Sequence, residues 1–365
     1  MKSKSFALLI MLLLAGIFAS PVQARQKKEG AVVASRWSEE KANAWYAQLP
    51  WMSGCDYIPA TAINQIEMWS KDTYDHGQID KELGWAEELG FNTMRVFLSS
   101  VVYANDPDGL KKRMDDFLTV CASHGIRPMF VFFDDCWNAE SSYGKQPAPK
   151  PGIHNSGWVR DPSMSLREDT VTLYKNLEKY VKDILATFGQ DKRVLLWDLY
   201  NEPGNSAQFA TSLPLLRKVF EWARSVNPSQ PLTSGVWNMD KAFAPVNAFQ
   251  LEHSDVISYH NYDIASRHEE EIKYLGALNR PLVCTEYMAR RNGSLFSSIM
   301  PLLKRYKVIA INWGFVSGKT NTIFAWDTPL PDVKEPPLWF HDILRQDKTP
   351  FDPEEVKLIK EMNGK

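Results

Sequence analysis

The stretch V-L-L-W-D-L-Y-N-E-P, residues 194–203, decides the fold class. It opens with an apolar run that has the length of a buried β-strand, and it ends in the polar turn Asn201, Glu202, Pro203. An amphipathic stretch with helical spacing follows at residues 206–225. A buried strand followed by a turn and a helix is the unit from which parallel α/β sheets are built. The fold therefore depends on whether this unit repeats.

The unit does repeat along the chain. Short apolar, β-branched or aromatic runs predict eight strands, at residues 51–56, 92–98, 127–134, 194–201, 231–236, 255–262, 281–286 and 307–313. Amphipathic stretches predict helices between most of them, at residues 79–89, 110–124, 166–187, 206–225, 268–278 and 294–306. Eight such units favour a closed barrel over an open doubly wound sheet, and no Gly-rich dinucleotide turn follows the first strand. We predict an α/β protein, a single-domain (β/α)8 TIM barrel.

Two stretches interrupt the regular alternation, residues 135–165 after the third strand and residues 317–350 after the eighth. Both contain prolines and aromatic residues, which is typical of long loops. In a barrel these loops lie at the end where the strand carboxyl termini gather, and they would border a cleft there. The alternative is that each is an exposed insertion without a binding role.

Composition and charge narrow the class of partner. The chain has 365 residues, 44% hydrophobic and 24% charged, which is typical of a folded globular protein. Its 42 Lys and Arg residues against 44 Asp and Glu residues give a net charge of -2, so no basic field is available to attract nucleic acid. Neutral ligands become the better candidates.

The N-terminus predicts export. The apolar run 6–19 follows Lys2 and Lys4 and leads to a small-residue cleavage pattern that ends at Ala24. We predict a signal peptide at 1–24 and a mature catalytic domain at 25–365 that is periplasmic or extracellular and has no membrane partner once the signal is cleaved. The alternative is an uncleaved membrane anchor.

Cysteine and histidine spacing gives no sign of a metal site. Cys55, Cys121, Cys136 and Cys284 are widely scattered, so two disulfides and four free thiols both remain open. The sequence has no CxxC pair, no HExxH and no histidine cluster with metal-ligand spacing. We predict no metal and no organic cofactor.

Two glutamates at strand ends carry the chemistry. Glu202 follows the fourth predicted strand and Glu286 ends the seventh, so both would face the same mouth of the barrel. Carboxyl groups in unlike environments suit glycosidic bond cleavage, in which one donates a proton to the departing oxygen and the other attacks the anomeric carbon. A separation of about 5 to 5.5 Å would give retained stereochemistry. Each glutamate alone has a structural alternative, as a helix cap or an ion-pair partner.

Further polar and aromatic residues fall at the same predicted end. Arg95 lies near the end of the second strand, His260 and Tyr262 alternate on the sixth, and Trp313 closes the eighth. With Asn201, Glu202, Pro203 and Glu286, this set resembles the clan A glycoside hydrolases, most closely family 5 and its cellulase-like relatives. The resemblance covers residues 51–313.

The resemblance implies roles for individual residues. Glu202 would be the acid/base, Glu286 the nucleophile, and Asn201 a donor to the sugar 2-hydroxyl. Arg95 and Tyr262 would hold Glu286, because a neighbouring cation favours the ionised carboxylate and a phenol hydrogen bond orients it.

The same resemblance gives His260 and Trp313 places near the substrate. His260 would lie near Glu202 or on the leaving-group side, the alternative being a core imidazole with a satisfied hydrogen bond. Trp313 would stack on the apolar face of the sugar that is cleaved, the alternative being core packing. The loop tryptophans are further candidate platforms, namely Trp137, Trp158, Trp326 and Trp339.

The third strand departs from the family pattern. Family 5 enzymes commonly show a histidine at its end, where this chain has Asp134, Asp135, Cys136 and Trp137. A carboxylate there would either hydrogen-bond sugar hydroxyls or cap the long loop. This departure leaves the sugar undecided.

Taken together, the sequence predicts an exported, retaining β-glycoside hydrolase that acts on β-linked glycans of the glucan, mannan or xylan type. The first alternative is a carbohydrate-binding barrel without catalysis. The second is a barrel enzyme of another class, such as an isomerase or lyase, which the lack of a phosphate loop or a Schiff-base lysine at a strand end disfavours.

Overall fold

A computed structural model describes residues 35–365, so the predicted signal peptide at 1–24 lies outside the described residues. Their strands are β1 Ser53–Asp56, β2 Thr93–Phe97, β3 Met129–Val131, β4 Trp197–Asp198, β5 Leu232–Thr233, β6 Ile257–His260, β7 Leu282–Glu286 and β8 Ile309–Asn312. Their helices are α1 Glu39–Tyr46, α2 Gln65–Trp69, α3 His76–Glu88, α4 Ser100–Asn105, α5 Pro107–Ser123, α6 Thr170–Phe188, α7 Leu213–Val226, α8 Ala244–His253, α9 Ala265–Gly276, α10 Phe296–Arg305 and α11 Pro353–Asn363. None of these helices is long and apolar enough to cross a bilayer.

The strands form one parallel sheet that curls into a barrel. Its order is β5-β4-β3-β2-β1-β8-β7-β6, with β1 paired to both β2 and β8. The two end strands meet through Val236, whose backbone N–H donates to Ser258 O at 3.1 Å and whose carbonyl accepts from His260 N at 2.9 Å. The predicted (β/α)8 TIM barrel is confirmed.

The floor of the barrel's amino-terminal end is apolar. A buried cluster fills it, formed by Met52, Met129, Leu195, Leu196, Val256, Val283, Ile309 and Ile311. Trp45 and Tyr46 of α1, with Leu49 beyond it, pack against this cluster from below. Since this end is filled with hydrocarbon, polar chemistry is left to the opposite end, where the strands terminate.

Some predicted elements are longer or shorter than the observed ones. The run 194–201 has only Trp197 and Asp198 in a formal strand. Beyond it, Leu199 N donates to Thr233 O of β5 at 2.8 Å, and Asn201 N donates to Phe133 O, just after β3, at 2.7 Å. The helix predicted from residue 206 begins at Leu213, because residues near its predicted start adopt positive φ angles that a helix does not allow.

Two long loops follow β3 and β8, as predicted, and we call them the β3 loop (residues 132–164) and the β8 loop (residues 313–352). They are hydrogen-bonded to each other, Asn155 N to Thr320 O at 2.7 Å and Leu330 N to Gly152 O at 2.9 Å. Gly152 has φ 63°, and a Cβ there would lie 1.9 Å from Leu330 O, so the contact requires glycine. The loops therefore form one connected layer.

The four cysteines are all buried free thiols. Of the two alternatives left open by their spacing, the structure has the reduced one. Cys55 lies in β1 and Cys284 in β7, whereas Cys136 lies in the β3 loop.

Candidate active site

A cavity of about 950 Å³ opens at the carboxyl ends of the strands. Eight of the ten predicted site residues line it, namely Asp134, Trp137, Asn201, Glu202, His260, Tyr262, Glu286 and Trp313. The other two, Arg95 and Asp135, are fully buried behind its surface.

Arg95 of β2 is the centre of the cavity's base. Its guanidinium donates to Asp56 at 2.8 Å, to Glu286 at 2.9 Å, to Asp198 at 3.1 and 2.9 Å and to Asn201 Oδ1 at 2.6 Å. Burial alone would lower the pKa of Arg95, but the surrounding carboxylates outweigh it and raise the pKa well above its usual value. One permanent cation thus joins side chains from β1, β2, β4 and β7.

Glu286, at the end of β7, is held on both oxygens. Oε1 accepts from Arg95 at 2.9 Å, and Oε2 accepts from the Tyr262 hydroxyl at 2.8 Å. Burial raises the pKa of Glu286 and repulsion from Glu202 adds to the rise, while Arg95 and the Tyr262 hydrogen bond oppose it. The carboxylate is therefore fixed in orientation, with its charge balanced by the guanidinium.

Glu202 has a different environment. Its backbone has φ 43°, in the left-handed region, and 12% of its side chain is exposed. His260 Nδ1 lies 2.7 Å from Oε1, while the Cys136 thiol donates to Oε2 at 3.2 Å and the Asn205 amide donates to the same oxygen. Burial raises the pKa of Glu202, and the hydrogen bonds from Cys136 and Asn205 oppose the rise. Burial lowers the pKa of His260 to about 4, so the imidazole is neutral at pH 7.

The two glutamates lie close together. One oxygen of each and a nitrogen of His260 all lie within 4.8 Å of one another, near the separation of about 5 to 5.5 Å that retaining glycosidases use. The same three side chains are a possible cation site among residues 35–365. Arg95, Tyr262, Cys136 and Asn205 already donate to these carboxylates, which leaves few free lone pairs for a metal.

A family comparison agrees with this geometry. The sequence model described as cellulase (glycosyl hydrolase family 5) matches residues 54–318, most of the predicted span 51–313. The chain belongs to glycoside hydrolase family 5. No curated protein sequence matches it significantly.

Solved structures with the same fold are distant in sequence. The exo-β-1,4-mannosidase of Opitutaceae bacterium strain TAV5 is 16% identical with a TM-score of 0.61, over 86% of this chain and 59% of that one. This family 5 chain thus spans little more than half the length of that protein. The endo-β-1,4-mannanase of Thermotoga petrophila is 14% identical with a TM-score of 0.57, over 86% of this chain and 76% of that one. The endo-1,4-β-mannanase of Rhizomucor miehei is 13% identical with a TM-score of 0.55, over 86% of this chain and 98% of that one.

In this family 5 protein, Asn201 and Asp134 form a pair beside the glutamates. Asn201 Nδ2 donates to Asp134 Oδ1 at 2.9 Å, and Trp158 Nε1 donates to Asp134 Oδ2 at 2.7 Å. Burial raises the pKa of Asp134 to about 6. Both residues line the cavity, and the Asn201 amide also donates to the Cys136 sulfur at 3.5 Å.

Asp135 has a different environment from its neighbour. Its carboxylate accepts hydrogen bonds from Arg167 at 2.6 Å, the Tyr200 hydroxyl and Gly204 N at 2.8 Å, and the Ser212 hydroxyl. These donors anchor the β3 loop to the turn that carries the catalytic candidate of β4. The structure therefore places Asp135 in the support of the site and away from the cavity surface.

Of the predicted tryptophan platforms, some line the cavity and one is buried away from it. Trp137, Trp158, Trp313 and Trp326 line the cavity, whereas Trp339 is buried and stacks on Phe351 with ring centroids 5.1 Å apart. Trp313 N donates to Tyr287 O at 3.1 Å, which places this tryptophan beside the end of β7.

Sequence reasoning missed several residues of the cavity and its base. Trp237 lines the cavity directly after the predicted fifth strand, so the strand-end position would have found it. Asp56 ends β1 and forms an ion pair with Arg95, and its position at a strand end would also have predicted it. His154 and His341 also line the cavity, with Nδ1 hydrogen-bonded to the carbonyls of Phe324 and Met288. They lie in the two loops, where no helix or strand periodicity predicts which side chains face the cavity.

Proposed function

We propose that this family 5 protein is a retaining β-glycoside hydrolase, with Glu202 as acid/base and Glu286 as nucleophile. The observation that carries the proposal is the approach of the two carboxylates, with oxygens within 4.8 Å, in a cavity at the strand ends. Their unlike partners support the division of roles, since Glu286 contacts a cation and Glu202 contacts neutral groups.

In the first step Glu286 attacks the anomeric carbon while Glu202 protonates the departing oxygen. The raised pKa of Glu202 favours the protonated form that this step needs. Arg95 and Tyr262 hold Glu286 in one rotamer, so no reorganisation of the nucleophile is required during attack. The product is a covalent glycosyl-enzyme and a free leaving group.

In the second step a water takes the place of the leaving group, and Glu202 accepts its proton while the water oxygen attacks the same carbon. The bond between that carbon and Glu286 breaks, which releases the sugar and the Glu286 carboxylate. The Asn201 amide would donate to the sugar 2-hydroxyl in place of its 3.5 Å contact with the Cys136 sulfur, and Trp313 would stack on the ring. His260, neutral at pH 7, holds Glu202 through both steps without competing for its proton.

A mechanism-based label tests the proposal. Activated 2-deoxy-2-fluoro β-glycosides of glucose, mannose and xylose should leave a fluoroglycosyl adduct on the peptide that contains Glu286, detected by mass spectrometry. The Glu286→Gln variant is the matched control, since it keeps the shape but lacks the nucleophile. Ligand binding without an adduct would instead favour the carbohydrate-binding barrel.

The substrate class follows the same reasoning. We propose β-linked glycans of the glucan, mannan or xylan type as substrates, and the mannosidase and mannanase names of the structural neighbours place β-mannosides first in the assay. We also propose export through the N-terminal signal, which cell fractionation with an antibody to the barrel would test.

A further inference from the structure

The mechanism gives the cavity two ends. The sugar attacked by Glu286 lies beside Trp313, and the leaving group lies beside Glu202, which protonates it. Glu202 follows β4, and its rim neighbours Asn205, Trp237 and Met239 lie in the segments after β4 and β5. The leaving group therefore extends over β4 and β5, and any further sugar on the other side would extend over β8, β1 and β2.

The β3 and β8 loops meet above that second side. Besides the two main-chain hydrogen bonds between them, Asn321 Nδ2 donates to Lys150 O at 2.9 Å. His154 Nδ1 is hydrogen-bonded to Phe324 O at 2.8 Å, so a cavity-lining side chain of the β3 loop is fixed to the β8 loop. The two loops thus form a joined cover.

The cover continues over β1. Lys319 N donates to Ala60 O at 3.1 Å, and its ammonium lies 2.7 Å from Glu67. From the other loop, Gly157 O accepts from Asn64 Nδ2 at 2.8 Å. Both loops are therefore fixed to the segment that follows β1.

The cover also continues over β7 and β6. Arg291, after β7, donates to Thr328 Oγ1 at 2.8 Å and forms an ion pair with Asp327 of the β8 loop. The rings of Trp326 and Tyr262 meet edge to face with centroids 5.0 Å apart. The β8 loop thus reaches the residue that holds Glu286.

Aromatic rings fill the space below this cover. Trp158 packs edge to face against both Phe97 of β2 and Trp313, with centroids 5.0 and 5.7 Å away, and the rings of Phe97 and Trp313 are themselves 6.0 Å apart. Trp158 is only 3% exposed. The cavity that these three rings line on the side of β1 and β8 has a volume of only about 20 Å³, so a second sugar has no room past Trp313.

From this geometry we infer that the enzyme acts at chain ends, and that it removes a single sugar from the non-reducing end of a β-linked glycan. The inference rests on the proposed function. Within residues 35–365, the cavity-lining residues that are exposed to solvent follow β3, β5, β6 and β7, Met239 among them at 50%, and none follows β8, β1 or β2. The exposed side accepts the leaving group of any length, whereas the interior of a polysaccharide has no path past Trp158.

Paired substrates test the inference. Nitrophenyl β-trisaccharides of the gluco, manno and xylo series are assayed with a free non-reducing end and with a benzyl ether on O4 of the terminal sugar. We expect the monosaccharide as the first product of a free substrate, and cleavage of its blocked partner to be slower by about 100-fold or more. Comparable rates on both members, or longer first products, would overturn the inference.

The label on Glu286 separates the two proposals. An adduct together with cleavage of blocked substrates leaves the hydrolase in place and overturns the end-specific action. Absence of both adduct and cleavage overturns the hydrolase itself.

A variant pair tests the barrier. Trp158→Ala and Trp158→Phe both lose the hydrogen bond to Asp134, but only the first removes the ring. We expect Trp158→Ala to lower the ratio of free to blocked cleavage by about ten-fold and Trp158→Phe to keep it. This ratio is internal to each variant, so an overall loss of activity does not disturb it. An unchanged ratio in Trp158→Ala would contradict the role of the indole as the barrier.

Discussion

The base and the cover of the cavity are built by different interactions. The base consists of Arg95 and the side chains around it, which are buried and joined by charged hydrogen bonds across four strands. The cover consists of the β3 and β8 loops, joined mainly through main-chain carbonyls and amides. The comparison teaches that, on the proposed function, this fold separates the reaction from the choice of substrate. The base would then fix the bond that is broken, and the cover would fix how much of a glycan reaches it.

The largest effect is expected from the glutamates themselves. Glu286→Ala and Glu202→Ala should each lower kcat/KM on a confirmed glycan by about 10⁴-fold, because each removes a group that acts on the reacting atoms. Glu271→Gln is the matched control, since Glu271 also lines the cavity but its carboxylate accepts from the Asn261 amide and not from a group that holds Glu202 or Glu286. Circular dichroism would check the fold. A control that loses as much activity would contradict the assignment of the pair.

Arg95→Met should have the next largest effect and should also destabilise the barrel. It leaves the carboxylates of Asp56, Asp198 and Glu286 buried without their cation, which costs about 3–5 kcal/mol of unfolding free energy.

The destabilisation by Arg95→Met should depend on pH. Burial raises the pKa of Asp56 and Glu286, and the cation opposes this rise. Without the cation both folded-state pKa values move further above the unfolded ones, so stability is retained at low pH and lost as pH rises. Urea unfolding at pH 5 and pH 7 measures this. The gap between variant and wild type should be smaller at pH 5, and a gap that widens at pH 5 would contradict the account.

Asp135→Asn tests the hydrogen bonds that anchor the β3 loop of the cover to the turn after β4. The variant removes the buried charge that pairs with half-buried Arg167, so we expect a loss of about 2–4 kcal/mol in stability with kcat/KM of the folded protein within about three-fold of wild type. Asp134→Asn is the matched neighbour, and it should act mainly on KM. If Asp135→Asn raised KM instead and left stability unchanged, Asp135 would belong to the substrate site.

Cys136→Ala should give the smallest effect, a shift in the pH profile. The thiol donates to the ionised form of Glu202, so removing it raises the pKa of the acid and moves the alkaline limb of kcat/KM to higher pH. Cys136→Ser keeps a donor and should keep the profile. A shift of the alkaline limb to lower pH in Cys136→Ala would rule out this hydrogen bond as an influence on the acid.

The base was predictable because parallel strands share one direction. Once the eight strands were assigned, Arg95, Glu202, Tyr262 and Glu286 had to meet at one mouth, and the structure brings them together. The same logic would have given Trp237. The roles proposed for these residues stay predictions until the variants are measured.

The cover was not predictable in the same way. Asp134 and Asp135 are identical in chemistry and adjacent in sequence, yet one faces the cavity and the other is bonded to Arg167. His154 reaches the site only because its loop is bonded to Phe324, 170 residues away. Such pairings depend on long-range packing, which the helix and strand periodicity of the local sequence does not predict.

The backbone conformation of Glu202 is energetically unfavourable. A left-handed φ of 43° is unfavourable for a residue with a Cβ by about 1–2 kcal/mol, and the following proline disfavours the alternative right-handed helical conformation. Glycine would adopt this conformation with little penalty. Glu202→Gly should therefore relieve backbone strain in the turn after β4, and the proposed acid/base role of Glu202 would account for a glutamate at this strained position.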